Sequence, residues 1–295
     1  MSGVVIKFDA APIRPPLGVV EAENVIFCPC DFRCDFEELV FADDANDGIK
    51  NDFSDFLFKK ITASDTIVIQ LVKDGVILAE INNDDYGTYY DGFDNQPLYV
   101  GWIADWTKIF QAFSGGLYNV RVTTTILGEE TIFTSRNFRL NTFDILSADR
   151  TVKIETRQTG RFENGEFDFT NLIDGGWLSS IRLKGTFGYM QPNLQADIYQ
   201  DPSYRVVQNR DQVIREYPLI ANALPESIFN RIAVQDVLAN EILITAYNAL
   251  QELKYEKYPV VVDSFSDARY DNLGRVFFEI TCSDRQKNII KTNVQ

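Results

Sequence analysis

Three closely spaced cysteines form the pattern that comes nearest to a reactive or metal-binding motif in this chain. Cys28, Cys30 and Cys34 are arranged as C-P-C-x-x-x-C, and the fourth cysteine, Cys282, lies near the other end. A zinc site usually needs deprotonated thiolates in two C-x2-4-C pairs, and the acidic residues that follow Cys30 and Cys34 oppose thiolate formation. We therefore predict ordinary reduced thiols, with a metal at this cluster as the alternative.

Histidine is absent from all 295 residues. Because histidine titrates near neutral pH and is the commonest metal ligand, its absence removes most acid–base catalysts and most metal sites. No glycine-rich phosphate-binding loop occurs, and the cysteines lack a histidine partner for thiol catalysis. We predict a non-enzymatic protein without a cofactor. A glycan hydrolase that uses two carboxylates stays open as an alternative, because 43 acidic residues do not nominate one pair.

Residues 43–48 are rich in the oxygen ligands that calcium prefers, but they do not follow the order of an EF-hand. If Gly48 takes the sixth position of such a loop, the third and twelfth positions fall on Ala45 and Ser54, which are not the expected ligands. We favour a solvated acidic loop, and a looser calcium site is the alternative.

Residues 82–95 mix carboxylates with aromatic rings, and we predict an acidic loop there. Tyrosine is common at protein interfaces because its rigid ring gives a large contact area at little entropic cost. We therefore predict an interface, and the alternative is a glycan-binding adhesin that presents these tyrosines and Trp102 to a sugar. The predicted interface residues are Tyr86, Tyr89, Tyr90, Phe93 and Trp102, with Pro15 and Pro16 from the N-terminal segment.

The charge balance and the hydropathy pattern exclude several classes of partner. The chain carries 28 basic and 43 acidic residues, a net charge of -15, which disfavours specific nucleic-acid binding. The longest apolar runs have the length of strands, so no membrane segment is predicted. Residues 1–20 lack the apolar core of a secretory signal, which predicts synthesis and folding in the cytoplasm.

The pattern of short β-branched runs and turns predicts a mainly β protein of two β-sandwich-like domains with a few short helices. The chain length suggests about two domains. One hairpin is predicted from 66–72 and 76–81, and another from 117–126 and 131–140, since alternating strands flank glycine-containing turns. Aromatic and apolar residues recur at helical spacing over 102–113, which predicts a helix packed into the sandwich core. The predicted units are an extended N-terminal arm at 1–23, a β-sandwich domain at 24–145, and a second β-rich domain at 146–295.

The second predicted domain holds one clear helix and a polar tail. Proline at a first-turn position predicts the helix over 225–239, and the tail is 287–295. Residues 241–253 fit a strand or a helix equally well. Arg157, Arg161 and Arg182 lie among acidic residues, and we predict inter-subunit ion pairs for them. The predicted strands are 151–156, 179–187, 259–262 and 276–282, with two short strands in 205–219 about Asn209–Asp211.

Several runs in the second half resemble a known class of protein. The runs are "GRFENGEFDF…IRLKGTFGYMQPNL" from Gly160 to Leu194, then "REYPLIANALPESIFNRI" and "FFEITCSDRQKNIIKTN", with weaker support from "WTKIFQAFSGGLYNV". They are similar to virion tail proteins of tailed bacteriophages that infect Bacteroidetes, including the crAss-like group. The likeness consists of turns and strand ends and brings no catalytic signature and no set of functional residues.

This resemblance implies a structural subunit of the tail, neck or baseplate, located in the virion. Its expected partners are other copies of itself in a homo-oligomeric ring and neighbouring virion proteins. Large aromatic surfaces, extended arms and mixed charges suit such closed assemblies. The N-terminal arm and the polar tail are the expected inter-subunit contacts.

Overall fold

The computed structural model confirms a mainly β fold. No helix in the described ranges is long and apolar enough to span a membrane. The structure describes residues 5–8, 36–43, 51–60, 62–93, 96–126, 129–160, 169–170, 173, 175–189, 191–200, 206–248, 256–266, 268–272, 275–284 and 289–292.

The first half of the chain forms two sheets and two short helices. One sheet has four strands in the order β1-β3-β7-β6, and the other has the order β2-β10-β8-β4-β5 with β9 paired to β8. Its elements are β1 (Val5–Phe8), β2 (Glu37–Ala42), β3 (Phe53–Lys59), β4 (Thr66–Lys73), β5 (Val76–Ile81), β6 (Gly87–Phe93), β7 (Gln96–Asp105), α1 (Trp106–Phe113), β8 (Gly116–Ile126), β9 (Glu129–Thr134), β10 (Asn137–Thr142) and α2 (Ile145–Ala148).

Aromatic side chains from both sheets and from α1 fill the core between these two sheets. Trp106 packs on Phe138 with ring centroids 4.8 Å apart, and Trp102 stacks on Phe56 at 5.4 Å. The helix begins at Trp106 because Asp105 caps it, accepting hydrogen bonds from the backbone of the first turn. The predicted helix is thus confirmed from Trp106 onward, whereas Trp102 belongs to strand β7.

The strands of the second half close into a six-stranded barrel. The ring β14-β12-β11-β15-β16-β18 is completed by pairing between β14 and β18. Strand β13 and strand β19 add to β14, and β17 pairs with β18. The elements are β11 (Thr151–Gln158), β12 (Trp177–Phe187), β13 (Gln191–Gln200), β14 (Val206–Pro225), α3 (Glu226–Arg231) continued by a π-helical turn (Ile232–Asp236), β15 (Glu241–Ala246), β16 (Tyr258–Phe265), β17 (Arg269–Tyr270), β18 (Arg275–Asp284) and β19 (Ile289–Thr292).

Both predicted hairpins and the predicted helix of the second half are confirmed in the described residues. Strands β4 and β5 pair through Asp74 and Gly75, whose φ values of 49° and 81° are those of a tight primed turn. Strands β8 and β9 form the second hairpin, but its predicted return strand over 131–140 ends at Thr134, and residues 137–140 belong to the separate strand β10. The helix predicted over 225–239 is helical from Glu226 to Asp236.

Four segments differ from the sequence prediction. Residues 87–93 of the expected acidic loop are strand β6, and residues 206–225 form one continuous strand instead of two short ones. Val5–Phe8, in the expected arm, pair with β3 of the same chain, and Ile289–Thr292, in the expected tail, pair with β14. Local composition misled the prediction, polarity in three of these segments and nearby prolines in the case of Val5–Phe8, because pairing to long-range neighbours overrides weak β propensity. Pro15, Pro16, Cys28, Cys30 and Cys34 lie outside the described residues, as do residues 44–48 of the acidic segment.

The two halves meet where Gly101 of β7 faces Trp177 of β12. A Cβ atom at Gly101 would lie 2.7 Å from the Cη2 atom of the indole. Trp177 is fully buried with Leu57, Phe93 and Tyr99 of the first half, so the ring has no free space into which it can move. The absence of a side chain at Gly101 is therefore what allows the halves to approach.

Substitution of Gly101→Ala should lower the free energy of unfolding by about 1–3 kcal/mol, because the added methyl group overpacks this contact. Gly160→Ala is the matched control, since no atom lies within 4 Å of a Cβ built there. Urea denaturation followed by tryptophan fluorescence measures both. Equal stability of the two variants would show that the contact between the halves is not tightly packed.

Candidate functional site

The main concentration of titratable side chains in the described residues lies buried between the two halves. Its acidic members come from β2 and β3 and the residue before β3, and its basic members come mostly from the barrel and its helix. We call this set the charge cluster, and its members are Glu38, Asp52, Asp55, Arg136, Lys153, Arg182 and Arg231, all less than 9% exposed.

Strand alternation explains why the barrel carries charges here. Val152 and Ile154 lie in the barrel core, so the intervening Lys153 faces outward. Arg182, the register partner of Lys153 on β12, lies between Ile181 and Leu183 of the same core. Two like charges directly opposite on neighbouring strands destabilise a sheet. These two therefore need an anion between them.

Asp52 supplies that anion. Its two carboxylate oxygens accept hydrogen bonds from Nη2 and Nε of Arg182 at 2.8 and 3.0 Å. The Nζ atom of Lys153 lies 3.4 Å from Oδ1, and the backbone N–H of Phe41 donates to Oδ2 at 2.9 Å. Burial by itself would raise the pKa of Asp52, but Arg182 and Lys153 hold that pKa below its ordinary value of 3.8.

Arg182 is also enclosed by aromatic rings and by a second acid. Its guanidinium carbon lies 4.1 Å from the ring centroid of Tyr247 and 4.8 Å from that of Phe41. Its backbone N–H donates to Glu38 Oε1 at 2.6 Å. Burial lowers the pKa of Arg182, but Asp52 and Tyr247 outweigh burial and raise it. Arg182 therefore stays charged while fully enclosed, which a stacked and bidentate guanidinium tolerates.

Asp55 forms a second link between the halves. Its Oδ2 atom accepts a hydrogen bond from Trp177 Nε1 at 2.8 Å, and its Oδ1 atom accepts one from Ser179 Oγ at 2.6 Å. Arg231 of α3 lies 3.5 Å from Oδ1 and donates to Ser179 Oγ at 2.6 Å. Asp55 thus joins β3 both to a barrel strand and to the barrel helix.

Glu38 forms the third link between the halves, because it accepts the hydrogen bond from the backbone N–H of Arg182 in the barrel. Its other oxygen is held within the first half. Arg136, from the segment before β10, donates to Glu38 Oε2 through Nε at 2.8 Å and also through Nη2. Burial raises the pKa of Glu38 well above its ordinary value; the N–H of Arg182 opposes that shift, and Asp52 and Asp55 add to it. Glu38 therefore protonates more readily than an ordinary glutamate.

The charge cluster is a buried set of ion pairs that joins the two halves, and we call this arrangement the clasp. Each acid accepts hydrogen bonds from donors of a neighbouring element, and both halves cover the cluster. An open depression of about 190 Å³ lies beside it. That depression is lined by Asn51 and Phe53, which flank Asp52, and by Leu178, Asp105 and Lys108, and none of the cluster's charged groups lines it. Asp105 is occupied in capping α1. Within the described ranges, no three His, Cys, Asp or Glu residues are grouped so as to hold a metal ion.

No protein-family model matches the chain, and no curated protein matches it at a significant level. Function must therefore be argued from the residues themselves.

The predicted interface residues differ in how far the structure buries them. Trp102 is fully buried in the first core and Phe93 is 8% exposed, so the prediction that these two contact a partner is wrong. Tyr86, Tyr89 and Tyr90 are partly exposed, and their interface role stays a prediction. Burial raises the pKa of Tyr89, with Asp91 and Glu80 adding to the shift.

Sequence reasoning found Arg182 but gave it the wrong partner, and it missed the acids. We expected Arg182 to pair with another subunit, whereas it pairs with Asp52 of the same chain, 130 residues away. Arg157 pairs at the surface with Glu241 at 3.2 Å, and Arg161 lies outside the described residues. One feature of the sequence could have indicated the charge cluster. Lys153 lies within the pattern of an apolar strand, and a lysine that is buried needs an acidic partner.

Substitution of Asp52→Asn should lower the free energy of unfolding by about 3–5 kcal/mol, because it leaves Lys153 and Arg182 buried without their anion. The matched control is Asp91→Asn, whose side chain is 68% exposed and pairs with Lys60 at 3.3 Å. That exposed pair should contribute only about 0–1 kcal/mol. Chemical denaturation of both variants measures the difference, and an Asp52→Asn protein as stable as Asp91→Asn would refute the clasp.

The same interaction predicts a pH dependence. Because the folded pKa of Asp52 lies below the ordinary value of 3.8, its contribution to stability is complete above that value. The contribution is lost as pH falls through the lower folded pKa. The difference in unfolding free energy between wild type and Asp52→Asn should therefore be constant near neutrality and shrink in acid. A difference that grows as pH falls would contradict this assignment.

Proposed function

We propose that the chain is a non-enzymatic structural subunit of a phage virion, built into a ring of the tail, neck or baseplate. The observation that carries this proposal is that the charge cluster joins the two halves of the chain. Acidic and basic side chains, which elsewhere can serve as catalysts, are here buried and paired across the two halves, and none of them lines the open depression beside the cluster. Charges paired in this way fix the orientation of the two halves, as a subunit of a mechanical assembly needs.

Two features of the sequence support the same proposal. The absence of histidine removes the commonest acid–base catalyst, and the runs similar to tail proteins of Bacteroidetes phages include three of the six barrel strands, β12, β14 and β18. The net charge of -15 would let DNA pass such a ring without adhering, since phosphate binding depends on Lys and Arg. The partners on this proposal are other copies of the chain and neighbouring virion proteins.

Light scattering on a sizing column over a wide range of protein concentrations tests the proposal, with negative-stain microscopy of the peak. We expect a mass that rises with concentration from one 33.7 kDa chain to a closed oligomer, seen as rings. A single-chain mass at every concentration would contradict self-assembly. Turnover of any member of a polysaccharide panel, lost on substitution of one described acid, would contradict the non-enzymatic assignment.

A further inference from the structure

The first strand of the chain is held by a single neighbour. Strand β1 has four residues and pairs along the edge of β3, from Val5 opposite Lys59 to Phe8 opposite Phe56. In the described part of the chain, β3 is the only element with which β1 makes more than marginal contact. The ladder with β3 therefore fixes the position of β1, and the β3 strand of any copy offers the same ladder.

Strand β3 needs a partner at this edge. It lies between β1 and β7 in its sheet, so it becomes an edge strand when β1 is removed. Its residues Phe56, Leu57 and Phe58 are completely buried. An edge without its neighbour leaves backbone N–H and C=O groups unpaired beside this core, which is costly. Every copy therefore requires one strand here, either its own or that of another copy.

The connection that follows β1 is long. Residues 9–35 lie between Phe8 and Phe36, the next described residue. Because an extended chain covers at most about 3.3–3.6 Å per residue, this connection can reach over about 90 Å.

Hydrogen bonds limit the distance that the connection has to cover within one chain. Phe8 pairs with Phe56, which is four residues from Asp52. The backbone N–H of Asp52 donates to the carbonyl oxygen of Phe41 at 3.0 Å, and Phe41 is five residues from Phe36. Along this path, with about 3.3 Å per residue and about 5 Å per pairing, Phe8 and Phe36 lie at most about 40 Å apart.

The surplus length is comparable to the width of a whole copy. A compact chain of this length has a radius of gyration of about 19 Å and hence a diameter of about 50 Å. A connection that reaches about 90 Å but needs at most about 40 Å can therefore carry β1 across a subunit boundary.

We propose that β1 of one copy pairs with β3 of the next copy in the assembled protein, in the register seen within the single chain. Exchange of an identical element requires no new contact, which makes it a low-cost route to association. Each copy donates one strand and receives one, so the contact is directional and repeats from copy to copy until a ring closes. The inference rests on the proposed function, for which it supplies the contact between subunits.

Disulfide trapping distinguishes pairing between copies from pairing within one chain. One full-length protein carries Val5→Cys and a second carries Lys59→Cys, which are register partners. The Cα atoms of such partners lie about 4.5–5.5 Å apart, within the range that a disulfide spans. The three cysteines before β2 are replaced by serine in both proteins, whereas the buried Cys282 stays.

The two proteins are mixed below the concentration of assembly, then concentrated and oxidised. The measurement is the amount of disulfide-linked dimer on a non-reducing gel, with mass spectrometry of the linked peptides. The matched control is a mixture of Val5→Cys with Arg150→Cys, whose side chain is 82% exposed and lies in the other half, and which reports random collisions.

We expect a dimer that links position 5 of one protein to position 59 of the other, at least about tenfold more abundant than the linked dimer of the control mixture. A strand held in register keeps the two sulfur atoms at an effective concentration of the order of mM, which random collision does not reach. Neither protein alone should give this link. Circular dichroism and light scattering check that the variants fold and assemble. Because mass spectrometry identifies the linked positions, the native cysteines can stay if their replacement prevents folding.

The outcomes separate this inference from the function on which it rests. If wild type assembles but the mixture gives no more linked dimer than the control, β1 pairs within its own chain and the inference is wrong, although the ring stands. If the link forms only in a closed dimer, strand exchange stands and the ring is contradicted. If wild type stays a single chain at every concentration, self-assembly itself fails and strand exchange falls with it.

Discussion

The position of Asp52 between Lys153 and Arg182 is the constraint on which the rest of the structure depends. Alternation along β11 and β12 places these two cations directly opposite each other on the outside of the barrel. Water would normally separate and screen them, but the first half of the chain covers this part of the wall. Asp52 approaches both cations, at 2.8 Å from Arg182 and 3.4 Å from Lys153, and converts a repulsive pair into a paired, dry set of charges.

This arrangement couples the stability of the two halves. Separated from each other, the barrel would expose Lys153 and Arg182 to water, and the first half would expose Glu38 and Asp55, each at little cost. Joined, every one of these groups depends on a partner from the other half or from an adjacent element, since a buried charge without a partner is strongly destabilising. The main effect of these charges is therefore to specify one orientation of the two halves, and their net contribution to the free energy of unfolding is small. Gly101 then allows the apolar contact with Trp177 that close approach requires.

Local patterns in the sequence predicted the parts of the fold that local physics determines. The Asp74-Gly75 turn with its hairpin follows from turn chemistry, and the helix from Glu226 follows from the proline that precedes its first turn. The closure of the barrel did not follow, because it depends on pairing between β14 and β18, whose paired residues are at least fifty positions apart in sequence. The continuity of β14 through Asn209, Arg210 and Asp211 was missed for a related reason. Those polar residues are typical of a turn, but β13 and β19 pair with Arg210 and Asp211 from both sides, and Asn209 is accommodated as a bulge in the pairing with β13. The charge cluster could not be predicted either, because its partners are far apart in sequence and no residue near Arg182 indicates Asp52.

A closed barrel also determines where the second half keeps strand pairs outside its wall. Closure pairs each wall strand with two neighbours, so the wall offers no open backbone edge in the described residues. Strand β14 is ten residues longer than its wall part, and β13 and β19 pair with this extension on its two sides. The register places Arg210 opposite Asp197 and Lys291 opposite Asp211, and opposite charges at paired positions stabilise a sheet. The polar residues that make this part of the sequence look like a turn are thus also the ones whose charges favour its pairing.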